Sequence, residues 1–369
     1  MKSICFVSLN GYALFNPAGS AQLGGTEAQL FELAQELKKT GQFTMSYIVG
    51  DFGQADIEEY GGIRLYKSLS LRKTLITYLR GPFQLWRALH RAQADTYIAS
   101  PAGPEIGLVA LYCQLHHKKF IYRTASSVDC TDEKRKSFGL LGFLYTYGIK
   151  HASVIITQSE HDQANLKQYY GRKSVVIRNL VKVSHQAAGH TQASSDQDSP
   201  GIVWIGSARS VKQPEVFLHV ARQLPNQQCT MIMSPSGDTR MWEETKAAAQ
   251  RIPNLTFIGG VPFDQISRYL SHAKLLVGTS KYEGFPNVYL QAAAHGVPII
   301  SLNVNPDEFI TKYNLGRVAD NDPSLLVRQI QEVVEGDKLY EQLSLSGPEY
   351  IKQKHRPSII LSCWIDILS

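Results

Sequence analysis

The chain contains 369 residues, of which 43% are hydrophobic and 19% are charged, so it is long enough for two domains that each bury a core. No apolar run approaches the roughly 18 residues that a transmembrane helix needs, and residues 1–9 are too short a run for a signal peptide. The five cysteines are scattered and form no Cys-x-x-Cys pair, which argues against a disulfide framework or a zinc site. We therefore expect a cytoplasmic protein.

The net charge of +6 is unevenly distributed along the chain. Residues 1–182 contain 22 Lys and Arg against 14 Asp and Glu, whereas the remaining residues contain 16 against 18. A basic half is typical of proteins that meet an anionic membrane, a phosphate-bearing substrate or nucleic acid, and equally of an ordinary solvated surface. The aromatic residues show no stacking pattern on a β-platform, so we expect no nucleic-acid partner.

Strand-like and helix-like segments alternate along the chain, which is typical of an α/β fold with parallel sheets. In the first half the pattern predicts strands around residues 4–9, 44–49, 96–100, 119–123, 154–157 and 175–177. In the second half it predicts strands around residues 202–205, 230–233, 255–258, 275–278 and 298–302. Helices are predicted around residues 26–39, 160–170, 214–222, 241–251, 263–271 and 286–295.

A polar, aperiodic segment separates the two alternating halves. Residues 183–200 are small and polar, so they cannot form a packed core and are predicted to be a linker. The sequence therefore predicts one α/β domain over residues 1–182 and another over residues 201–350. Residues 351–369 are predicted to form a C-terminal helix that packs back on the first domain. The cleft between two such domains is the natural place for a ligand.

The most informative segment is the polar loop that joins the strand predicted at residues 275–278 to a helix. Pro286 is suited to the first turn of that helix, whose free backbone N–H groups offer an anion site. Gly284 lets a ligand approach the backbone closely, and the Glu283 carboxylate can accept hydrogen bonds from sugar hydroxyls. Gln291 lies roughly 7.5 Å further along the helix axis, within reach of a ribose. The candidate ligand-binding residues of this segment are Glu283, Gly284, Phe285, Pro286, Asn287, Val288 and Gln291.

A second candidate follows the strand predicted at residues 202–205. A turn of small residues leads to Arg209 and Lys212, and Pro214 can then open a helix. Two cations beside such a turn suit a diphosphate, since arginine can bind phosphate bidentately and lysine acts as a point charge. Alone, this pattern is also typical of surface charge. Together with the loop around Glu283 it indicates a site for a nucleotide diphosphate.

A Gly24-Gly25 turn follows the first predicted strand. Thr26 is a candidate N-cap, so a helix N-terminus is expected at the carboxyl edge of the first sheet. A Gly-Gly pair alone is often no more than a turn. The chain contains neither a Gly-x-Gly-x-x-Gly fingerprint nor a Gly-x-x-x-x-Gly-Lys phosphate loop.

These segments resemble the retaining glycosyltransferases of family 4, which have the GT-B fold. In that family two acidic residues eight positions apart flank a Gly-Phe-Pro-type core. Here Glu283 occupies the first position, and Gln291, whose amide can still hydrogen-bond a diol, occupies the second. The resemblance implies that Glu283 holds the donor sugar, that Gln291 contacts the nucleotide ribose, and that the pyrophosphate lies against Arg209 and Lys212.

The resemblance is less specific in the first domain. The family's Gly-Gly-x-Glu loop is similar to the turn at Gly24 and Gly25, which implies that this turn faces the donor phosphates and the acceptor. Many relatives also place a histidine near the donor sugar, after the strand equivalent to residues 119–123. This chain has no histidine there, and the resemblance implies that a neighbouring polar residue takes the sugar or acceptor contact. The candidates are Ser126, Ser127 and Asp129.

By resemblance, the expected fold is GT-B, with two Rossmann-like domains whose parallel sheets face each other across a cleft. The first domain would lie on the acceptor side and the second on the side of the nucleotide-sugar donor. The implied activity is transfer of a hexose-type sugar to a glycan or lipid-linked glycan in polysaccharide biosynthesis, with retention of configuration. A UDP-sugar is the favoured donor and a GDP-sugar comes next, and no cofactor is expected.

We expect no metal site. Asp-x-Asp pairs, which metal-dependent transferases of another fold use, occur at Asp196/Asp198 and at Asp320/Asp322. The first pair lies in the predicted linker and the second in a polar loop far from Glu283, so both are interpreted as solvated charge. The two cations and the helix dipoles would then stabilise the leaving diphosphate.

Two basic, partly apolar regions concern the acceptor. Residues 71–80 and 83–91 mix cations with Leu, Phe and Trp, and residues 134–136 are three cations that precede the apolar run 138–144. Basic amphipathic segments can lie in a membrane interface against anionic lipid, and they are equally typical of helices whose apolar faces are buried. The first interpretation predicts peripheral association with the inner face of the cytoplasmic membrane and a lipid-linked acceptor.

Two other enzyme classes remain open. An epimerase or a phosphorylase would use the same fold, although a phosphorylase usually needs a pyridoxal lysine and a longer chain. A nicotinamide-dependent oxidoreductase would use the Gly24-Gly25 turn together with an acidic ribose-binding residue about 20 residues further on. Asp51 is a partial match, but this alternative gives no role to Glu283.

Overall fold

The structure, a computed structural model, describes residues 1–16, 24–72, 74–182, 201–262 and 265–369. The chain divides into two compact units, and each is described by itself. Unit 1 comprises Met1–Leu180 together with Pro357–Ser369, and unit 2 comprises Val181–Arg356. The predicted linker at residues 183–200 lies outside the described residues.

Over its described residues, unit 1 is built on one eight-stranded sheet. Its strands are β1 (Lys2–Val7), β2 (Phe43–Asp51), β3 (Ile57–Tyr60), β4 (Ile63–Ser70), β5 (Thr96–Ala99), β6 (Lys119–Arg123), β7 (Val154–Thr157) and β8 (Val175–Val176). They lie in the order β3-β4-β2-β1-β5-β6-β7-β8, and all neighbours are parallel except β3 and β4. The strand order reverses between β1 and β5, so loops that follow these two strands flank a crevice at the carboxyl edge.

Helices connect the parallel strands of unit 1, except that β2 and β4 are joined through β3. They are α1 (Gly25–Lys39), α2 (Leu75–Ala92), α3 (Glu105–Leu115), α4 (Asp132–Ser137), α5 (Gly142–His151) and α6 (Glu160–Tyr170). In α1 the apolar residues recur at helical spacing, and Leu30, Leu33 and Leu37 are buried in the core. Lys38 and Lys39 in the last turn lie at the negative end of the helix dipole.

Unit 2 contains a six-stranded sheet in its described residues, and every neighbouring pair is parallel. Its strands are β9 (Ile202–Ser207), β10 (Cys229–Ser234), β11 (Leu255–Gly259), β12 (Leu275–Gly278), β13 (Ile299–Ser301) and β14 (Gly316–Val318). Their order is β11-β10-β9-β12-β13-β14. Strands such as β12 are buried along their whole length, which explains why they appear in the sequence as continuous apolar runs.

The helices of unit 2 are amphipathic and cover this sheet. They are α7 (Pro214–Gln223), α8 (Thr239–Ala249), α9 (Ile266–Leu270), α10 (Asn287–Ala294), α11 (Phe309–Lys312), α12 (Pro323–Glu335) and α13 (Asp337–Lys354). Pro214 occupies the first turn of α7, as predicted. In α12 the side chains of Leu326, Ile330 and Val333 are buried in one core.

A last helix, α14 (Pro357–Leu368), belongs to unit 1. Ile360, Trp364 and Leu368, four residues apart, are buried in the same core as the apolar face of α1. The carbonyls of its last turn accept hydrogen bonds from the ammonium groups of Lys2 and Lys119. The predicted boundary between residues 350 and 351 is wrong, because it falls inside α13, and unit 2 ends at Arg356. None of the helices in the described residues is long and apolar enough to cross a membrane.

The sequence pattern did not predict β3, β4 and β14. Strands β3 and β4 form a hairpin around Gly61 and Gly62, whose φ angles of 54° and 71° suit a tight two-residue turn. Charged residues on this edge hid the strand pattern, as is common at sheet edges. The shortness of β14, three residues, explains why it was missed.

Candidate functional site

The two predicted donor segments of unit 2 meet at one place in its sheet. Arg209 and Lys212 follow β9, and Glu283 follows β12. These strands are neighbours, and the strand order reverses between them. Loops after adjacent parallel strands at such a reversal flank the crevice in which α/β proteins bind ligands.

Lys212 and Glu283 form an ion pair, although they are 71 positions apart in the chain. The Ser280 hydroxyl also donates to Glu283 Oε1, at 2.7 Å. The side chains of Lys212 and Glu283 are 24% and 22% exposed, so both remain accessible to a ligand. A carboxylate that suits sugar hydroxyls and a cation that suits phosphate therefore lie in direct contact.

Three hydrogen bonds hold these two loops together. The indole Nε1 of Trp204 on β9 donates to Thr279 Oγ1 at 2.8 Å, and Thr279 Oγ1 donates to the Lys212 carbonyl at 2.6 Å. The backbone N–H of Lys281 donates to the Val211 carbonyl at 2.8 Å. Trp204 and Thr279 are buried, so the bond between their side chains is shielded from water. Sequence reasoning missed both residues, although a polar Thr directly after a buried apolar strand was a usable signal.

Helix α10 begins directly after this loop, with Pro286 as its N-cap. The predicted helix start is thus displaced by one residue, within the usual uncertainty of helix ends. Backbone N–H groups of the first turn, such as that of Val288, have no acceptor within the helix and are oriented to meet an anion. Asn287 and Val288 are partly exposed, whereas Gly284 is buried.

The side chain of Phe285 is buried in the core of unit 2. Its ring lies 4.8 Å from that of Phe309 and 5.5 Å from that of His355, centroid to centroid. Any contact of Phe285 with a donor would therefore be made by its backbone. Its side chain serves to fix the loop on the core.

Gln291 lies one turn into α10 and is partly exposed. On the same helix, the Tyr289 hydroxyl is 3.1 Å from Ser301 Oγ and packs against Gly278 so closely that a Cβ there would lie 1.7 Å from it. Burial raises the pKa of Tyr289, and the nearby Glu283 raises it further, so the hydroxyl stays neutral. This contact fixes the distance between β12 and α10.

Arg209 is exposed beside the loop that follows β10. The backbone N–H of Asp238 in that loop donates to the Ala208 carbonyl at 2.7 Å. Gly237 has a φ of 124°, and a Cβ there would lie 2.3 Å from the Ala208 carbonyl oxygen. The loop after β10 is thereby held tightly against the Arg209 turn, a contact that sequence reasoning did not find.

In unit 1, the Gly24-Gly25 turn lies where α1 begins, after β1 at the switch point. Gly24 is the N-cap, with φ −107° and ψ 163°, so the prediction of Thr26 as the cap is wrong. A Cβ on Gly24 would lie 2.4 Å from Glu27 Oε2, because the Glu27 carboxylate folds back over the turn. Residues 17–23 of this loop lie outside the described residues.

Ser126, Ser127 and Asp129 follow β6 in a 3-10 turn. The Asp129 carboxylate is buried, and it accepts hydrogen bonds from the N–H groups of Ala125 and Ser126 at 2.8 and 3.1 Å. Lys134 lies 3.7 Å away. Burial raises the pKa of Asp129, while these partners oppose the rise. Asp129 therefore supports the turn, whereas Ser126 and Ser127 are partly exposed.

Arg123, at the end of β6, is a buried cation that sequence reasoning missed. Its guanidinium donates to Asn179 Oδ1, and burial lowers its pKa to about 10. Because Asn179 lies near the end of the Met1–Leu180 segment, this contact ties the carboxyl edge of the sheet to the last residues of that segment.

No group of three or more His, Cys, Asp or Glu in the described part of the chain is arranged to hold a metal ion. Asp322 is the N-cap of α12 and accepts from Ser324 N at 2.8 Å. Asp320 is exposed, with a φ of 45°. The pair Asp196/Asp198 lies outside the described residues, as do residues 263–264.

Each of the two units consists of a mainly parallel sheet with connecting helices, and in each unit loops meet at a switch point in the strand order. This arrangement defines a protein of the GT-B fold. The solved structure of HepE from Anabaena, in complex with UDP and glucose, shares this fold with a TM-score of 0.74. The two chains are 15% identical, and the match covers 100% of this chain and 99% of HepE.

Residues 23–185 match the family model described as Glycosyltransferase Family 4, and residues 188–349 match that of Glycosyl transferases group 1. The chain therefore belongs to the family-4 glycosyltransferases. This result confirms the resemblance in the sequence and the predicted fold class. It also removes the support for a nicotinamide-dependent oxidoreductase, in which Asp51 would bind ribose. In the structure the Asp51 carboxylate accepts a hydrogen bond from the backbone N–H of Gly53 at 3.0 Å.

Two curated relatives have named activities. A 2-deoxystreptamine N-acetyl-D-glucosaminyltransferase of Niallia circulans is 23% identical over 239 residues, which are 60% of this chain and 60% of that protein. The amylovoran biosynthesis glycosyltransferase AmsD of Erwinia amylovora is 22% identical over 231 residues, 61% of this chain and 64% of AmsD. The matched region thus spans about three fifths of the length of these relatives.

Proposed function

We propose that this chain is a retaining hexosyltransferase that takes its sugar from a nucleotide-diphosphate sugar. The observation that carries the proposal is the contact between Lys212 and Glu283 at the switch point of unit 2. This contact joins one group suited to phosphate and one suited to sugar hydroxyls. A UDP-sugar is the favoured donor, in keeping with HepE, whose structure contains UDP and glucose, and a GDP-sugar comes next.

Donor binding in this proposal replaces one ion pair by another. The diphosphate displaces the Glu283 carboxylate from Lys212, and Arg209 and the first-turn amides of α10 add further donors. The released Glu283 then accepts hydrogen bonds from the sugar hydroxyls, held in place by Ser280. Gln291 contacts the ribose.

Transfer then proceeds on one face of the sugar, with retention. The bond from the anomeric carbon to the diphosphate oxygen breaks, the acceptor hydroxyl attacks from the same side, and the departing phosphate oxygen takes its proton. Lys212, Arg209 and the α10 dipole stabilise the negative charge that develops on the leaving group. No metal ion is needed in this scheme.

The proposed acceptor is a glycan or a lipid-linked glycan in polysaccharide biosynthesis. The name of AmsD, a glycosyltransferase of amylovoran biosynthesis, supports this assignment. In unit 1 the acceptor would meet the Gly24-Gly25 turn and the partly exposed residues Ser126 and Ser127. The proposed location is the cytoplasm, at the inner face of the membrane.

The test is a thermal-shift screen of UDP-, GDP- and ADP-sugars, followed by a transfer assay in which NMR reads the configuration of the product. A donor at 100 times its Kd adds about 2.7 kcal/mol of stability, so binding gives a clear shift. The transfer assay includes the variant Glu283→Ala, which removes the proposed sugar-binding carboxylate. Its matched control is Glu332→Ala, which removes an exposed carboxylate on α12. A nucleotide-sugar that is converted only to its epimer would identify an epimerase, and a shift with phosphate and a free glycan alone would identify a phosphorylase.

A further inference from the structure

The carboxyl edge of the unit 1 sheet carries two buried hydroxyls that the proposed reaction does not use. Ser8 directly follows β1, and Ser100 directly follows β5, the strand beside it. Each residue is 1% exposed, and neither side-chain oxygen has a hydrogen-bond partner among the described residues. A buried hydroxyl without a partner costs free energy, so most buried polar groups in proteins are paired. These two hydroxyls are therefore candidates for contact with a ligand.

A buried cation, Arg123, lies at the end of β6, the next strand of the sheet. Its guanidinium has five N–H donors, but in the described residues it makes one hydrogen bond, from Nη2 to Asn179 Oδ1, and no ion pair. Burial lowers the pKa of Arg123 to about 10, and no carboxylate opposes this effect. The charge of Arg123 is thus removed from water without a counter-charge in its place.

The register of the strands aligns these three side chains on one face of the sheet. The residues that directly precede them are paired across β1, β5 and β6, and all three are buried in the core on one face. Because successive side chains of a strand point to opposite faces, Ser8, Ser100 and Arg123 lie on the other face, which α1 covers. Adjacent strands are about 4.8 Å apart, so the row spans roughly 10 Å. One monosaccharide unit with its substituents has a comparable length.

The electrostatic surroundings of this row favour a ligand with negative charge. Helix α1 begins after β1, so the positive end of its dipole lies at the same edge. Glu27, the first acid of this helix, is buried, and its carboxylate folds over the turn that precedes the helix. Asp129, which follows β6, is bonded to its own turn and lies beside Lys134. Neither acid pairs with Arg123, and a carboxylate or phosphate of a ligand would supply the missing charge.

We propose that the row formed by Ser8, Ser100 and Arg123, called here the polar row, binds an acidic sugar unit of the acceptor. The two serine hydroxyls bond hydroxyls of the sugar. The guanidinium donates to the carboxylate of a uronic acid or to the phosphate of a sugar phosphate. This assignment rests on the proposed transfer function, because it names the chemical class of the acceptor. Ser126 and Ser127 carry no charge and would not by themselves select an acidic sugar over a neutral one.

The first test measures the binding of small acceptor probes to the full chain by calorimetry. The probes are the methyl glycosides of glucuronic and galacturonic acid, glucose 6-phosphate, and the neutral methyl glucoside and methyl galactoside. We expect at least one acidic probe to bind about tenfold or more tightly than its neutral counterpart, as a charge-assisted hydrogen bond would contribute. A preference for a uronic acid identifies a carboxylate as the anion, and a preference for the sugar phosphate identifies a phosphate. Equal binding of acidic and neutral probes, or no binding of any acidic probe, would overturn the proposal.

The second test removes the charge of the row. Arg123→Gln should weaken binding of the preferred acidic probe about tenfold and leave binding of its neutral counterpart unchanged. Arg123→Lys keeps the charge without the bidentate geometry and should retain part of the preference. Arg172→Gln is the matched control, since Arg172 is a partly buried arginine of unit 1 that donates to the carbonyls of Lys150 and Ala152. An acidic preference that persists in Arg123→Gln, or that is lost equally in Arg172→Gln, would contradict the assignment.

The third test removes the two hydroxyls and stays informative if Arg123→Gln does not fold. Because neither hydroxyl has a partner among the described residues, Ser8→Ala with Ser100→Ala should not lower the melting temperature. Binding of the preferred acidic probe should nevertheless weaken about tenfold. Ser344→Ala, which removes a buried hydroxyl of unit 2, is the matched control and should leave probe binding unchanged. A loss of stability with unchanged probe binding would assign the two serines to the fold and overturn the proposal.

Calorimetry with UDP separates this proposal from the proposed transfer function. The Kd of UDP should stay unchanged in Arg123→Gln and in the double serine variant. Weaker UDP binding in Arg123→Gln would place the anion on the donor and overturn the proposal. A chain that prefers the acidic probes but transfers no sugar from any nucleotide-sugar would contradict the proposed function, while supporting the polar row as a site for acidic sugars.

Discussion

The ion pair between Lys212 and Glu283 sets the chemistry of the site at the scale of single residues. In the structure each group neutralises the other, and the Ser280 hydroxyl donates to the same carboxylate. A diphosphate carries more negative charge than one carboxylate, so it can take Lys212 as its own partner. The same exchange would free the Glu283 carboxylate to accept hydrogen bonds from the sugar hydroxyls.

Glu283→Ala should retain the fold and reduce transfer by roughly 10²-fold or more, as expected for loss of a contact that strengthens in the transition state. Because Lys212 then loses its intramolecular partner, UDP should bind at least as tightly as before. Steady-state kinetics and calorimetry measure the two effects. Near-normal turnover in a folded Glu283→Ala protein would contradict the assignment.

Lys212→Ala and Arg209→Ala should each weaken binding of the nucleotide diphosphate by about 1.5–3 kcal/mol, the range for charge-assisted hydrogen bonds. Binding of the nucleoside without phosphates should change far less. Calorimetry with both ligands checks this. If the diphosphate binds equally well to both variants, the pyrophosphate site lies elsewhere.

Ser280→Ala tests a positioning role, since the Ser280 hydroxyl donates to the Glu283 carboxylate. We expect kcat to fall about tenfold, because an oriented hydrogen bond to a charged group is lost, while the Kd of UDP stays unchanged. Ser280→Thr keeps the hydroxyl and should restore most of the activity. A parallel loss of UDP affinity in Ser280→Ala would indicate general damage to the loop.

At the scale of elements, the candidate functional residues lie in loops at the switch points of the two sheets. In unit 2 the loops after β9, β10 and β12 are tied together by backbone hydrogen bonds and by the Trp204–Thr279 contact. In unit 1 the equivalent edge carries the α1 N-terminus and the turn after β6. The C-terminal helix α14 adds to the core of unit 1 from the far end of the chain, so its apolar residues stabilise that unit alone.

Trp364→Ala should destabilise unit 1 by about 3–5 kcal/mol, the usual cost of removing a buried Trp side chain. Native-state hydrogen exchange measures the effect for each unit separately. Protection should fall in β1 and β2 and remain unchanged in β9 and β12. Ile359→Ala, an exposed position on the same helix, serves as the control and should change stability by less than about 0.5 kcal/mol.

At the scale of the whole molecule, the proposed reaction relies on fixed positive charge. Arg209, Lys212 and the start of α10 offer that charge in unit 2. We therefore expect transfer to survive excess EDTA with little loss, measured by product formation before and after chelation. Modest stimulation by Mg²⁺ is compatible with this, because free cations help product nucleotide to leave. Complete loss that added metal reverses would contradict it and would make the pairs Asp196/Asp198 and Asp320/Asp322 candidate metal ligands again.

The sequence by itself determined the alternation of strands and helices and the positions of the two predicted donor segments. This was possible because apolar periodicity, proline at helix starts and glycine at turns act through neighbouring residues. Strands β6, β7 and β12 and helix α6 were predicted at their observed limits for this reason. Strands β3 and β4 were missed because they depend on pairing with other strands, β4 with β2 and the edge strand β3 with β4, which no local pattern records.

Only the tertiary structure decided which groups meet and which faces remain exposed. Lys212 and Glu283 pair because β9 and β12 are neighbours, and the sequence does not state the order of strands in a sheet. The Phe285 side chain is buried and the Phe83 side chain is exposed, although both are aromatic residues with apolar neighbours in the sequence. A residue's burial depends on what packs against it from elsewhere in the chain, and that information exists only once the fold has formed.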